Sequence, residues 1–534
     1  MKSFLKKITK TKNGNLYKYF IISLIAFIQL SCTSKVENKR IIVASAGKIE
    51  SLDPAQASTL RSLQLISSLG DRLYIINSDG LLQSQLAKTL PIISNNGLTI
   101  DIPIKKGILF HDGSSFDANA MAFSIRRFMN IGTQNYVIGG RIKNIQTPDK
   151  YLLRINLNRP SSSIKGLLTS INLTPISPKA YLNHKDKFLN NQFIGTGPYK
   201  LVHFQPEKQR LEPFQKYWGT KPKNEGVDYI NFRNSSSLFG AIRSGEVDIL
   251  LSNSVEDGQR LALHRLAKAG KLKESIGPAL EIGYITLRSD TNPFNRKVLR
   301  KAISYSINRD LITQKASYGL REPLYSIVPP VLKIKKSSPW PKYNPDIARS
   351  LLTQEGFCLG TQLTVPLTFR SNVPADKLLA LTWKEQINQD LSDCLNIEII
   401  GVEATTIYKQ LSDGTFTSVI LDWTGAYPDP EAYLFPLLSC ERIEEGNCKK
   451  GEAVFSGSFW GESEVQSKLK ASEKLQKQER LEKLDEIEKI AANGSAYIPV
   501  WLVKPRVWAQ SNINQPQFDG SGLVLLNQLK KNTQ

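Results

Sequence analysis

Two short stretches alternate apolar and polar residues as half-buried strands do: LTIDIPI (98–104) and YLLRINL (151–157). RIIVASAGK (40–48) is a β-rich opening that runs into a turn at Leu52-Asp53-Pro54, and NIEII (396–400) is strand-like. YIPVWLV (497–503) is apolar throughout and predicts a fully buried strand. Other stretches carry the helical period. LQLISSLGDRLYIIN (63–77) has helical apolar spacing up to the turn at Asp79-Gly80. After the turn His111-Asp112-Gly113, a helix is predicted from Asp117, which caps it. Ala118, Met121, Ala122, Ile125, Phe128 and Met129 form its apolar face. Residues 296–312 predict one helix with a stripe of Val298, Leu299, Ala302, Ile303, Ser306 and Ile307. In 344–356, Asn344 caps, Pro345 occupies the first helical position and Gly356 stops the helix. A long polar helix over about 470–493 carries Leu481, Leu484, Ile487 and Ile490 and ends at Asn493-Gly494. Strands and helices alternate along the chain, so the predicted class is mixed α/β.

Length changes this picture first. At 534 residues the chain exceeds what one hydrophobic core can organise, so two or more lobes are expected. An apolar fraction of 41% fills such cores and argues against extensive disorder. No period of about 20–50 residues repeats, which excludes a solenoid or propeller.

The N-terminus differs from the rest. Lys2, Lys6, Lys7, Lys10, Lys12 and Lys18 form a basic region without an acidic residue, followed by FIISLIAFIQL (20–30) and Ser31-Cys32. The apolar run is about half of the roughly 20 residues that a spanning helix needs, which predicts an export signal over 1–32. Cys32 resembles the acylated cysteine of a bacterial lipoprotein, although Gln29 stands where that pattern has a branched aliphatic residue. Several acyl chains on Cys32 would hold the protein at a membrane, with 33–39 as a polar tether.

The formal charge is +22, and +16 without the six lysines before Cys32. The lysines are scattered, so a solvated basic surface is expected, with attraction to an anionic membrane face or acidic ligands as the functional alternative. No nucleic-acid-binding motif is present and no nucleic-acid partner is expected. Of five cysteines, Cys440 and Cys448 flank ERIEEGN and can close a small ring. Cys358 follows a helix end and Cys394 precedes a strand. An oxidising compartment permits both bridges, with a zinc site as the rival reading; no CxxC pair or histidine cluster supports the metal.

Catalytic chemistry finds little footing. The four histidines, His111, His184, His203 and His264, have no partner at metal or general-base spacing. No HExxH, GxSxG or GxxxxGK[ST] occurs, so no enzyme activity and no cofactor or metal is expected. His111 reads as a structural residue of its turn. Gly195, Gly197 and Pro198 in IGTGPYKL read as a tight chain reversal with Tyr199 packed below.

Eight phrases, however, stand in a telling order: SLDPA (51–55), DGLLQSQLAKTL (79–90), KKGILFHDG (105–113), IGTGPYKL (194–201), SGEVDIL (244–250), NPFNRKVLRKAISYSINRD (292–310), YNPDIARSLLTQEGF (343–357) and WTGAYPDPEAY (423–433). On these the chain resembles the extracytoplasmic solute-binding proteins of family 5, the peptide and nickel receptors of ABC importers. The resemblance implies an α/β, two-lobed periplasmic-binding-protein fold (type II, cluster C-like) with an inserted subdomain in the first lobe. Lobe I would comprise 40–85, 194–278 and 503–534, with 86–193 inserted, and lobe II would comprise 279–502. Crossings near Glu281–Leu287 and Tyr497–Val503 would form the hinge, and Asp248 in SGEVDIL would be a fold signature.

The resemblance also implies a site. LDWTGAYPDPEAYLF (421–435), kept irregular by two prolines, would reach the interlobe cleft, as would Gln56 to Ser58. Ligand contacts are therefore expected from Asp422, Trp423, Gly425, Ala426, Tyr427, Asp429, Gln56 and Ser58. In peptide-binding relatives an aspartate after the glycine pairs with the peptide's α-ammonium; here that position is Ala426. Asp422 or Asp429 could compensate, Asp429 having a turn-forming reading too, or the ligand lacks a free amino terminus. The implied function is capture of a short peptide or peptide-like solute and delivery to ABC permease subunits, by a monomer in the periplasm or cell envelope. Alternatives on the same fold are a nickel chelate, opine or sugar receptor, or a signalling or chaperone-like binding protein.

Overall fold

The computed structural model describes residues 39–532 apart from 136, 137, 139, 252–254, 334–337 and 476. The expected export signal over 1–32, Cys32, and all but the last residue of the 33–39 tether lie outside the described residues.

Strand-forming segments from separate parts of the chain assemble into two large mixed sheets. In the first, the order is Leu272–Ile276, Arg506–Gln510, Ile249–Leu251, Ile41–Ala46, Val227–Phe232, Lys208–Pro213 and Tyr199–Gln205. Ile41–Ala46 is fully inside it and pairs in parallel on both sides, which suits its β-branched, apolar make-up. The second sheet has the order Glu322–Pro323, Tyr497–Val503, Glu281–Leu287, Ser418–Thr424, Leu363–Arg370 and Leu395–Val402. All seven residues of Tyr497–Val503 are buried. A four-stranded antiparallel sheet, Ile92–Ser94, Thr99–Pro103, Leu152–Leu157 and Ile142–Asp149, packs with helix Ala118–Ile131. Asp117 caps that helix by accepting the Ala120 N–H at 3.0 Å.

The chain passes between the two large sheets through 277–280 and again through 504–505. The passes lie side by side, Gly277 N–H donating to the Pro505 carbonyl at 2.8 Å.

The turns read from sequence become anchors. Asp53 is fully buried and accepts from both terminal guanidinium nitrogens of Arg127, at 2.7 and 2.6 Å, together with the amides of Ala55 and Leu189. One carboxylate thereby ties the Leu52-Asp53-Pro54 turn to helix Ala118–Ile131. His111 Nδ1 accepts the Gly195 N–H and Nε2 faces the Gly197 carbonyl at 3.1 Å. Burial lowers its pKa to about 4, so it is a neutral brace. Gly197 must be glycine: a Cβ there would lie 2.5 Å from the Gly70 nitrogen. Asp248 receives the Ile42 N–H at 2.8 Å.

Three helical expectations need correction. The helix over 63–77 is Leu60–Leu69 and stops at Gly70; Tyr74–Ile76 is a strand. The 296–312 helix is two, Lys297–Tyr305 and Arg309–Ser317. Gln386 makes the break possible, its amide donating to the Ser306 carbonyl and its oxygen accepting the Asn308 N–H, while Asn308 caps the second helix. The 470–493 helix is also two, Ser463–Ser472 and Lys477–Gly494. The Ser162 hydroxyl sits among the carbonyls of Ser472, Glu473 and Leu475 at that break. Nor is 421–435 one loop. Strand Ser418–Thr424 and helix Glu431–Leu438 leave only 425–430 irregular.

Disulfides join Cys358 to Cys394 and Cys440 to Cys448, so these four thiols are not zinc ligands. No helix of the described residues is long and apolar enough to cross a membrane.

Candidate functional site

A cavity of about 740 Å³ is walled by residues that pack with both large sheets. A smaller one, about 230 Å³, lies along helix Lys477–Gly494 and draws nothing from the first sheet.

The register of the second sheet builds one wall. Glu281 pairs with Thr424 and with Val503, and Gly283 pairs with Asp422 and Trp501, so these residues share one face. Gly283 is the low point of that face. A Cβ there would fall 2.0 Å from Trp501 Nε1, so the indole lies across bare backbone. The Arg321 guanidinium stacks on the same ring, 4.2 Å from its centroid.

Charged groups line the cavity in ion pairs. Arg370 holds Asp376 through Nε and Nη2 at 2.7 and 3.1 Å, and its Nη1 reaches Asp422 at 2.6 Å and the Tyr408 hydroxyl at 2.9 Å. Asp257 is shared by Arg260 at 3.2 Å and Arg321 at 3.1 Å. Arg72 pairs with Asp519 at 2.9 Å. Burial pushes the Asp376 carboxyl up against the pull of Arg370. Burial first and the Asp422 charge second push Glu281 up, against Arg321, Arg260 and Arg370.

The irregular segment 425–430 forms the second wall, and helix chemistry fixes its start. Pro436 lies inside helix Glu431–Leu438 and has no N–H to give the Ala432 carbonyl. The Trp423 indole N–H donates to that carbonyl at 2.9 Å, which fixes the ring at the cavity edge.

Of the residues expected from sequence, Ser58, Asp422, Trp423, Gly425, Ala426 and Tyr427 line the cavity together. Asp429 and Gln56 are not among its lining residues. Asp429 is bound to both outer nitrogens of Arg480, at 2.9 and 2.7 Å, and accepts the Glu431 N–H, the turn-forming alternative. Sequence reasoning missed Arg72, Arg260, Glu281, Arg321, Arg370, Asp376, Tyr408 and Trp501. Glu281 and Trp501 carried a signal, a carboxylate and an indole in strands otherwise made for burial. The arginines carried none, because their approach depends on strand register and on turns far apart in sequence. Among the described residues, no group of three or more His, Cys, Asp and Glu side chains could hold a metal ion.

Residues 82–445 match the sequence model of the bacterial extracellular solute-binding proteins, family 5, middle region. The glutathione-binding protein GsiB of Salmonella typhimurium is 24% identical over 440 residues, 81% of this chain and 83% of that protein. The dipeptide-binding protein of Pseudoalteromonas sp. SM9913, solved with Met-Leu, superposes with a TM-score of 0.78 at 21% identity, covering 92% of this chain and 99% of that one. NikA of Brucella suis, solved with Fe(III)-EDTA, gives a TM-score of 0.80 at 18% identity and covers 92% and 99%. These superpositions establish the two-lobed α/β fold.

Proposed function

The chain belongs to the bacterial extracellular solute-binding proteins of family 5, and on that premise we propose that it captures a short peptide, or a peptide-like solute such as glutathione, between its lobes. It hands the solute to an ABC permease and leaves it chemically unchanged. The observation that carries this reading is the cavity of about 740 Å³ between walls packed on both sheets, a volume suited to a small ligand. Its floor offers an indole and its walls paired charges. GsiB and the dipeptide-binding protein are named for peptide ligands, which favours a peptide over a chelate, opine or sugar.

In the same reading lobe I comprises 40–85, 194–278 and 503–534, 86–193 is its inserted subdomain, and lobe II is 279–502. The side-by-side passes at 277–280 and 504–505 are the hinge. The protein works as a monomer in the periplasm or cell envelope, held to the membrane through Cys32. The test is a thermal-shift screen of the purified protein with di- to pentapeptides and reduced glutathione, because a ligand that binds only the native state raises its melting temperature. Mass spectrometry of the co-purifying ligand is the complement. A bound metal chelate, opine or sugar with no peptide response would overturn the peptide reading.

A further inference from the structure

We propose that Glu281 is the anchor for the ligand's positive charge, and that this charge is a peptide α-ammonium. The inference rests on the peptide reading of the cavity.

The argument begins with charge balance. The cavity is lined by Arg72, Arg260, Arg321 and Arg370, and by Glu281, Asp376 and Asp422. Immediately behind its wall stand Asp257 and Asp519. Four guanidinium groups thus face five carboxylates. Asp376 and Asp422 both bind Arg370, Asp257 serves Arg260 and Arg321, and Asp519 binds Arg72. Glu281 enters no salt bridge among the described residues. Arg506 and Glu274, behind the same wall, pair with each other at 2.7 Å and cancel. Arg370 thus carries one carboxylate too many and Asp257 one guanidinium too many, and Glu281 lies in the field of Arg260 and Arg321, so the one surplus negative charge of the cavity lies on the face that Glu281 and Asp422 share.

Position supports this. Glu281 opens strand Glu281–Leu287 directly after the pass at 277–280, so it sits where the two lobes meet. Across the strand pair, Asp422 is its diagonal neighbour on the same face. Two carboxylates on one face suit a compact ammonium with three donors better than a flat guanidinium. Their mutual repulsion, together with burial, disfavours the free anion of Glu281, and an arriving cation relieves both effects. Ala426 lines the cavity with a methyl group and offers the ammonium nothing.

Matched peptides with free and N-acetylated amino termini, di- to pentamers, test the proposal by isothermal titration at neutral pH. The wild type should bind the free forms at least about tenfold more tightly, the scale of one charge-assisted hydrogen bond. Glu281→Gln should bring that ratio close to one, and Glu281→Asp, which keeps the charge on a shorter stem, should retain part of it. Equal binding of free and acetylated peptides by the wild type overturns the anchor while the peptide reading stands. A full preference in Glu281→Gln also overturns it. If no peptide of either kind binds the wild type, the peptide reading itself fails and the anchor falls with it. The wild-type comparison decides even if a variant does not fold.

Discussion

At Gly283 the lack of a side chain lets Trp501 lie flat, and Trp501 in turn carries Arg321. Gly283→Ala should lift the indole into the cavity. The expected result is a stability loss of about 1–3 kcal/mol by urea denaturation, as for other overpacked sites, with weaker peptide binding. Asp53 makes the opposite kind of prediction, one of charge left alone. Asp53→Ala strands Arg127, whose side chain is only 2% exposed, and should cost about 3–5 kcal/mol in the same measurement. The sequence makes Leu52-Asp53-Pro54 readable as a turn, because proline and aspartate dictate local backbone. That Asp53 would take Arg127, 74 residues away, was not readable. Likewise Trp423, Ala426 and Tyr427 could be placed at the cleft by their phrase, whereas Arg370 and Arg321 arrive there only through pairings that no local pattern encodes.

Helices and strands behave as their patterns predict until a distant side chain intervenes. The caps at Asp117 and Asn344 were readable because they act within three residues. The break at 306–308 was not, because the apolar stripe runs on through it and the compensating Gln386 lies 80 residues from Ser306. Helix Glu431–Leu438 shows the same logic at the cavity. Pro436 frees the Ala432 carbonyl and the Trp423 indole takes it. Trp423→Phe keeps the ring but leaves that carbonyl without its donor. A loss of about 1–2 kcal/mol is expected, together with a drop in peptide affinity as the ring loses its fixed pose. Paired replacement of Cys358 and Cys394 by serine opens a loop with a sequence separation of 36. On chain-entropy grounds it should lower stability by about 3–4 kcal/mol, measured by urea denaturation against the wild type with and without reductant.

At the scale of the whole molecule, the proposed closure of the two lobes would rest on a buried ionic cluster beside the cavity. Arg141 and Ser162, which flank the strands Ile142–Asp149 and Leu152–Leu157, meet Glu431, Arg480 and the carbonyls around Glu473. Arg141, Glu431 and Arg480 are all less than one-tenth exposed. Burial alone would raise the Glu431 carboxyl, but Arg141 and Arg480 outweigh it and hold the group below its ordinary value. A carboxyl lowered in this way contributes fully above its ordinary pKa, roughly 4.3. Its contribution fades as pH falls through the lower value of the closed state. The Glu431 contribution should therefore be full and independent of pH near neutrality, and weaken in acid below about pH 4. Glu281 and Asp376, whose carboxyls are raised, work in the reverse sense, since their buried anions are relieved as pH falls. The variant Glu431→Gln separates these contributions. It leaves two buried guanidiniums facing a neutral amide, so the closed form should lose about 3–5 kcal/mol. Small-angle scattering at neutral pH should then give a larger radius of gyration for the variant than for the wild type. Acid should expand the wild type towards the variant's size and change the variant little. An acid expansion of equal size in Glu431→Gln would place the trigger elsewhere; Glu473, whose carboxyl burial raises, has the wrong sign for it.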